Sequence, residues 1–348
     1  MARDTVYRRK TPTGAVNAVK DMVKDKGIGP RSAYPLMSFK ELPEWMQDSR
    51  YIRTGYRQET RSYWECAKTV FGQPHNESVN IWSHLIGFII FAVFCLQTTL
   101  AASSLFDIVP TALFSTPPRI LSAPLIFGLG AKATLPITIE DLVVFYAFLL
   151  GGMACLGLSA SYHCFHCHSE PVSAAWNRCD YAGIVLLITG SFYPAAYYGF
   201  YCHRVWQGVY IFGITGIGLA TLCTVTLKRF RTPAFRWIRT GLFLAMGLSG
   251  IIPVLHGVFL YGFDGAEKAF SFYYITSHGA LYVIGALIYG FRVPEKWYPG
   301  HFDIWFSSHQ IFHWCVLAAA LIHYRGVILA MGHWHMPENS CSLGGGVE

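Results

Sequence analysis

The chain has 348 residues, of which 53% are hydrophobic, 16% aromatic and only 14% charged, and its formal net charge is +7. Soluble domains carry nearer a quarter charged residues, so this composition excludes an ordinary water-soluble protein and predicts an integral membrane protein with one membrane domain. We expect no nucleic-acid partner.

The segment that precedes the first apolar stretch is expected to lie in the cytoplasm. Residues 1–48 are basic and turn-rich, which predicts a partly disordered tail. Residues 49–76 mix basic and aromatic side chains. That mixture fits an amphipathic helix on the cytoplasmic leaflet, and a solvated basic linker is the alternative.

Seven apolar stretches follow, each near the ~20 residues that a helix needs to cross a bilayer. They predict an all-α fold, a bundle of seven transmembrane helices within residues 77–330. The predicted spans are 79–101, 140–163, 180–201, 206–227, 237–260, 269–292 and 305–330. Residues 102–138 predict an external loop, and residues 331–348 predict an external tail.

Basic residues set the predicted orientation. If the helices alternate in direction, 22 of the 27 Lys and Arg residues lie on the side of the N-terminus and five lie on the other side. Basic residues accumulate on the cytoplasmic side of membrane proteins. The N-terminus is therefore expected in the cytoplasm and the C-terminus outside or in a lumen, in a multi-pass protein of the plasma membrane or an endomembrane.

Polar residues gather at the cytoplasmic ends of three spans. His163 closes the second span, Asp180 opens the third, and His309 and His313 open the seventh. Charged and metal-ligating groups at membrane depth are costly, so they indicate a functional site.

The histidines predict a zinc site. His309 and His313 are one helical turn apart, which lets both imidazoles grip one Zn²⁺, and His163 can converge on them. Three protein ligands and a water are typical of catalytic zinc. The alternative is that these are polar interface residues bonded to the neighbouring backbone.

Asp180 and Ser159 are the candidate catalytic residues. Gln310, not Glu, follows His309, so the base of a zinc hydrolase must come from another helix, and Asp180 is the acidic residue placed for it. Ser159 lies one turn before His163. It would donate to a developing oxyanion or orient the histidine.

The remaining polar residues receive simpler interpretations. Cys164 and Cys167 form a C-x-x-C that either binds a metal or belongs to a loop at a reducing face. The ten scattered cysteines argue against a disulfide framework. His256, His278 and His323 are expected to be core histidines with satisfied hydrogen bonds.

Several motifs resemble the progestin and adipoQ receptor family, also called haemolysin III-related, and are most similar to its adiponectin-receptor branch. They are His75-Asn-Glu77-Ser-Val-Asn80-Ile-Trp82-Ser-His84, Ser159-Ala-Ser-Tyr-His163, Cys167-His-Ser-Glu170, Asp180-Tyr-Ala-Gly183 and Pro299-Gly-His-Phe-Asp-Ile-Trp-Phe-Ser-Ser-His309-Gln-Ile-Phe-His313. The resemblance covers about residues 43–328. It implies seven helices, a cytoplasmic N-terminus, zinc held by His163, His309 and His313, and a water between the metal and Asp180.

Three functions stay open. The first is a receptor in lipid-metabolism signalling, with the bilayer and a lipid such as ceramide or a fatty acid, or an external protein or steroid, as its partners. The second is an intramembrane zinc hydrolase that cleaves a lipid amide such as ceramide. The third is a structural zinc protein without chemistry.

Overall fold

The computed structural model describes residues 35–105, 137–227 and 233–336, with Asn339 and Cys341. This part of the chain contains nine α-helices and no β-strand, which confirms the all-α prediction. The helices are α1 Tyr63–Val70, α2 Ser78–Leu105, α3 Ile139–Phe165, α4 Glu170–Gly199, α5 Arg204–Thr226, α6 Arg236–Leu248, α7 Ile251–Phe270, α8 Phe272–Phe291 and α9 Ser308–Trp334. Most of the predicted tail (residues 1–48) and of the external loop (residues 102–138) lies outside the described residues.

Six segments of the described chain are long and apolar enough to cross a membrane. They comprise α2, α3, α5, α8, α9 and the pair α6–α7. Large apolar side chains such as Phe212 and Phe259 point outward, with 77% and 86% of their surface exposed. Because such surfaces need lipid around them, the protein is an integral multi-pass membrane protein. The 30-residue α4 contains residues 180–199 of the predicted third span but is not among the six, so seven crossings remain a prediction.

Helices α3, α4 and α9 form the centre of the bundle. Glycines let α3 and α4 approach closely, because a Cβ on Gly190 would lie 2.5 Å from the Ala147 carbonyl oxygen and one on Gly183 would lie 2.8 Å from the Cys155 Cα. Helix α9 packs against α2, α3, α4, α7 and α8. These contacts bring the predicted site residues of α3, α4 and α9 to one end of the bundle.

One predicted helix start was wrong. Helix α4 begins at Glu170, with Ser169 as its N-cap and Pro171 in its first turn, so Asp180 lies ten residues inside the helix. The predicted fifth span, 237–260, lies within one candidate span, Arg236–Phe270, which bends between the end of α6 at Leu248 and the start of α7 at Ile251, and again at Gly262, where φ is 67°. Pro253 lies in the first turn of α7, where a missing N–H breaks no helical hydrogen bond.

The residues before α2 cover the same end of the bundle. An isolated bridge joins Met37 and Tyr56. The Asp303 carboxylate, in the segment before α9, accepts hydrogen bonds from the Arg53 and Thr54 main-chain N–H groups at 2.9 and 2.8 Å. Within the predicted interfacial segment, residues 49–76, the helical part is α1.

Candidate metal centre

Three imidazoles meet where α3 ends and α9 begins. His163 lies in the last turn of α3, and His309 and His313 lie in the first two turns of α9. Their ring centroids are 4.8–4.9 Å apart in all three pairs, with planes crossing at 71–76°. One nitrogen of each ring lies within 4.8 Å of the other two. The structure therefore brings together the three histidines that the sequence predicted as metal ligands.

Hydrogen bonds show which nitrogens are free to bind a metal. His163 Nδ1 is 2.7 Å from Glu77 Oε2, and His313 Nδ1 is 3.1 Å from the Asn80 carbonyl oxygen. The buried Nε2 of His163 has no hydrogen-bond partner within the described residues. A metal-binding histidine characteristically gives its other ring nitrogen to a carboxylate or a carbonyl, so these residues fit a Zn²⁺ ion held by three imidazoles.

Asp180 and Ser159 lie beside this triad. Gly183 packs on Cys155, so Asp180, three residues earlier in α4, lies level with Ser159, four residues later in the antiparallel α3. The Asp180 carboxylate interacts with the Ser159 hydroxyl and with His163. Both side chains are buried. The structure thus brings both predicted catalytic residues to the histidines, although the start of α4 was predicted wrongly.

The site lies on one wall of a large cavity that is partly open at the surface of the bundle, where lining residues such as Ile251 and Leu255 are exposed. The cavity has a volume of about 1320 Å³. Its lining includes Ser159, Asp180, His309 and His313, and it continues between α4, α6, α7, α8 and α9 along mainly apolar side chains. A volume above the usual 300–1,000 Å³ range accommodates a ligand larger than a typical drug molecule. His309 and His313 of the triad are therefore accessible to a molecule inside this cavity.

Glu77 and Asn80 are site residues whose role was not predicted from the sequence. The Asn80 amide donates a 2.7 Å hydrogen bond to Glu77 Oε2, the oxygen that faces His163. The neighbouring His75 Nδ1 accepts from the Glu77 main-chain N–H. Burial, assisted by the charge of Arg57, lowers the pKa of His75 to about 3, so its ring is neutral. The start of α2 thus holds the carboxylate that orients His163.

Two further groups fix the helix ends that carry the histidines. The buried Arg57 donates to the main-chain carbonyl oxygens of His163 and Cys164, where a cation complements the carboxyl end of α3. The Glu295 carboxylate accepts from the Ser308 main-chain N–H and hydroxyl at the start of α9. Neither residue could be assigned from local sequence, since their partners are 107 residues and 13 residues away.

The cysteines behave differently from the histidines. Among the described residues the triad is the only group of three or more His, Cys, Asp or Glu side chains placed to hold a metal. The metal interpretation of Cys164 and Cys167 therefore gains no support. Cys167 Sγ lies 3.5 Å from Cys66 Sγ, and this contact lowers the pKa of the Cys66 thiol to about 7 although burial raises it. One disulfide, which was not predicted from the sequence, joins Cys202 and Cys341.

Comparisons with known proteins agree with this architecture. The sequence profile described as "Haemolysin-III related" matches residues 72–324. The chain is 36% identical over 312 residues to the "Adiponectin receptor protein" of Drosophila melanogaster, covering 90% of this chain and 63% of that protein. It is 35% identical over 318 residues to the "Progestin and adipoQ receptor-like protein 1" of Caenorhabditis elegans, covering 90% and 65%. A third relative, the "ADIPOR-like receptor IZH2" of Saccharomyces cerevisiae, is 37% identical over 298 residues, covering 84% and 83%. The chain thus spans a little under two thirds of the fly and worm proteins.

Proposed function

We propose that this chain, which belongs to the haemolysin III-related family, is a zinc-binding membrane receptor that responds to a lipid held inside its helix bundle and acts in lipid-metabolism signalling. The observation that carries the proposal is the convergence of three imidazoles beside the cavity, two of which, those of His309 and His313, line it. The printed names of the relatives, adiponectin receptor and progestin and adipoQ receptor-like protein, support the receptor class.

The cavity is the feature that links the site to a lipid. Its walls are mainly apolar, and Ser159, Asp180, His309 and His313 form a polar patch on one of them. A long apolar chain gains free energy by leaving water for such a space. A carbonyl or carboxylate head at the polar patch would touch α3, α4 and α9 together, so a bound lipid would bias how these helices pack.

Lipid binding in the cavity can be tested by filling it. Gly279 lines the cavity, and a Cβ there meets no described atom within 4 Å, so a larger side chain enters open space. We expect Gly279→Phe to weaken the binding of radiolabelled stearate by at least about tenfold. Gly213→Phe is the matched control, because a Cβ on Gly213 also meets nothing described within 4 Å and this glycine is absent from the described lining. Equal stearate affinity in the two variants, or no saturable binding by the wild type, would contradict the proposal.

A second candidate function, a lipid amide hydrolase, is favoured by the position of Asp180 beside the triad. Zinc in a site with three histidines is a Lewis acid and makes water nucleophilic near neutral pH. The Asp180 carboxylate would accept a proton from a water whose oxygen bonds to the amide carbonyl carbon. When the C–N bond breaks, that proton passes to the amine, which leaves a fatty acid and a free amine. The Ser159 hydroxyl would hold the carboxylate in position.

The hydrolase candidate predicts that replacing Asp180 lowers the activity without removing the metal. Asp180→Asn should lower ceramide turnover by ~10²–10⁴ because a general base is lost, while one zinc per chain is kept. Asp264→Asn, an exposed residue outside the described cavity lining, is the control. Fully zinc-loaded wild-type protein without turnover of ceramides and related amides would eliminate the hydrolase and leave the receptor.

A further inference from the structure

The cavity has a second polar region, remote from the triad. His278 and Tyr282 of α8 and His323 of α9 all line it. The His278 and His323 ring centroids are 4.6 Å apart, and those of His278 and Tyr282 are 5.7 Å apart. His278 and His323 were predicted to be core histidines whose ring nitrogens are all hydrogen-bonded.

The hydrogen bonds in this region are incomplete. His323 is 2% exposed, yet neither of its ring nitrogens has a hydrogen-bond partner in the part of the chain that the structure describes, and the same holds for the Tyr282 hydroxyl. The Ser191 main chain approaches the His323 ring without forming a hydrogen bond to it. His278 uses only Nδ1, at 3.2 Å from the Tyr274 carbonyl oxygen. The prediction was therefore wrong for His323.

Unpaired polar atoms in a buried wall indicate a missing polar partner. A neutral imidazole offers one donor and one acceptor, and a tyrosine hydroxyl offers both. Burying such groups without partners is costly, and native proteins rarely do it. Because these side chains line a cavity, a ligand inside it can supply the partner. The described residues hold no third His, Cys, Asp or Glu here that would complete a metal site.

The spacing between the two polar regions is set by α9. His323 lies ten residues after His313, so it is ~15 Å further along the helix axis and nearly three turns on. The lining between them includes Leu187, Ile188 and Val316. An extended chain advances ~3.4 Å for every three bonds, so this distance corresponds to about a dozen bonds.

We propose that the cavity binds a long-chain fatty acyl lipid that carries a hydroxyl group about a dozen bonds from its carbonyl head. The carbonyl or carboxylate lies at the triad and Asp180, and the chain hydroxyl lies between His323, His278 and Tyr282. The chain hydroxyl donates to one ring nitrogen and accepts from the Tyr282 hydroxyl or the other imidazole. The inference rests on the proposed function, since it assumes that a lipid occupies the cavity.

The test compares three acids on the purified, zinc-loaded full chain: stearate, 2-hydroxystearate and 12-hydroxystearate. We expect 12-hydroxystearate to bind roughly tenfold tighter than stearate, a ratio typical of one paired buried hydrogen bond. The 2-hydroxy acid, whose hydroxyl lies beside the head, should gain nothing. Equal affinity for stearate and 12-hydroxystearate would overturn this inference alone. Absence of binding by all three acids would instead overturn the proposed function.

Variants assign the preference to the second polar region. Tyr282→Phe and His323→Phe should reduce the ratio of the two affinities to about one, and Tyr282→Phe removes only an oxygen, so the packing is preserved. His256→Leu is the matched control, because this histidine is paired with the Tyr210 hydroxyl at 2.8 Å and is not in the described lining. A tenfold preference that survives in both Tyr282→Phe and His323→Phe would overturn the assignment.

Discussion

At the scale of single residues, the arrangement of the candidate metal site depends on side chains that hold the histidine rings. Glu77 contacts His163. Asn80 contacts Glu77 through its side-chain amide and His313 through its carbonyl oxygen. These contacts come from the first turn of α2 and the residue before it. The start of α2 is therefore as much part of the site as α3 and α9 are.

Replacing Glu77 tests this support. Glu77→Gln keeps the side-chain shape but removes the charge that faces His163 Nδ1, and we expect zinc affinity to fall by ~10–100-fold, as for other residues that orient metal ligands. Competition with a chelator on the purified protein measures the affinity. Glu65→Gln, on α1 and paired with Lys68, is the control. Unchanged affinity in Glu77→Gln would show that the Glu77–His163 contact does not support metal binding.

The buried His75 predicts a pH dependence of stability. Its imidazole takes up a proton below about 6.5 in the unfolded chain but only near 3 in the folded one. Proton binding therefore favours the unfolded state as the pH falls. The stability that the neutral His75 contributes is fully present above pH 6.5 and is lost as the pH falls from 6.5 towards 3. The expected loss is ~1.4 kcal/mol per pH unit between pH 6 and 5. Unfolding curves in detergent should show a shallower pH slope for His75→Asn, and an identical slope would contradict the assignment.

The sequence predicted the ligands but not their support. His309 and His313 are one turn apart, and His163 ends a helix that must reach the same membrane face, so local spacing and depth suffice to find them. Glu77 is 86 residues from His163 in the chain, and only the packing of α2 on α3 joins them. Pairings across helices leave no local pattern.

At the scale of secondary-structure elements, the packing of α4 on α3 determines the position along the bundle axis at which Asp180 lies beside the triad. The start of α4 was predicted ten residues too late because its first turns carry the charged residues Glu170 and Arg178, which an apolarity criterion rejects. The N-cap Ser169 and the early Pro171 were available as start signals. The break between α6 and α7 at Ser249 and Gly250 also had signals, since Gly247, the Ser249-Gly250 dipeptide and Pro253 are helix breakers, but the apolar residues on both sides led to the prediction of one continuous span.

Gly190 tests the close approach of α3 and α4. Gly190→Ala places a Cβ about 2.5 Å from the Ala147 carbonyl oxygen, and overpacking against backbone typically costs ~1–3 kcal/mol. Gly213→Ala is the matched control, because its Cβ enters open space and alanine favours the helix by up to ~1 kcal/mol. Thermal unfolding in detergent should show a lower midpoint for the first variant and an equal or higher one for the second. A Gly190→Ala variant as stable as the wild type would exclude the tight contact.

At the scale of the whole molecule, residues that follow α9 form a disulfide and a side-chain contact at the end of the bundle opposite the triad. The Cys202–Cys341 disulfide ties this segment to the turn after α4, and His335 Nε2 lies 2.9 Å from Asp141 Oδ2 at the start of α3. Disulfides persist in oxidising compartments. This placement supports a C-terminal end outside or in a lumen, and a triad near the cytoplasmic face.

The orientation predicts opposite accessibility of the two ends. An epitope after residue 348 should be labelled by antibody on sealed, outward-facing membranes, and an epitope before residue 1 should be labelled only after permeabilisation. Asn76, in the sequence Asn-Glu-Ser, should carry no glycan because the predicted orientation places it at the cytoplasmic end. A glycan on Asn76, or labelling in the reverse pattern, would contradict the orientation.

The zinc content of the purified protein tests the central claim most directly. The wild type should hold one zinc per chain, measured by elemental analysis after exhaustive dialysis against a weak chelator. His309→Ala combined with His313→Ala should hold none, because two of the three imidazoles that converge within 4.8 Å are removed. A His256→Ala and His203→Ala pair, remote from the triad, should keep the full content. Wild-type protein without zinc, or a His309→Ala and His313→Ala variant that retains one zinc per chain, would contradict the account.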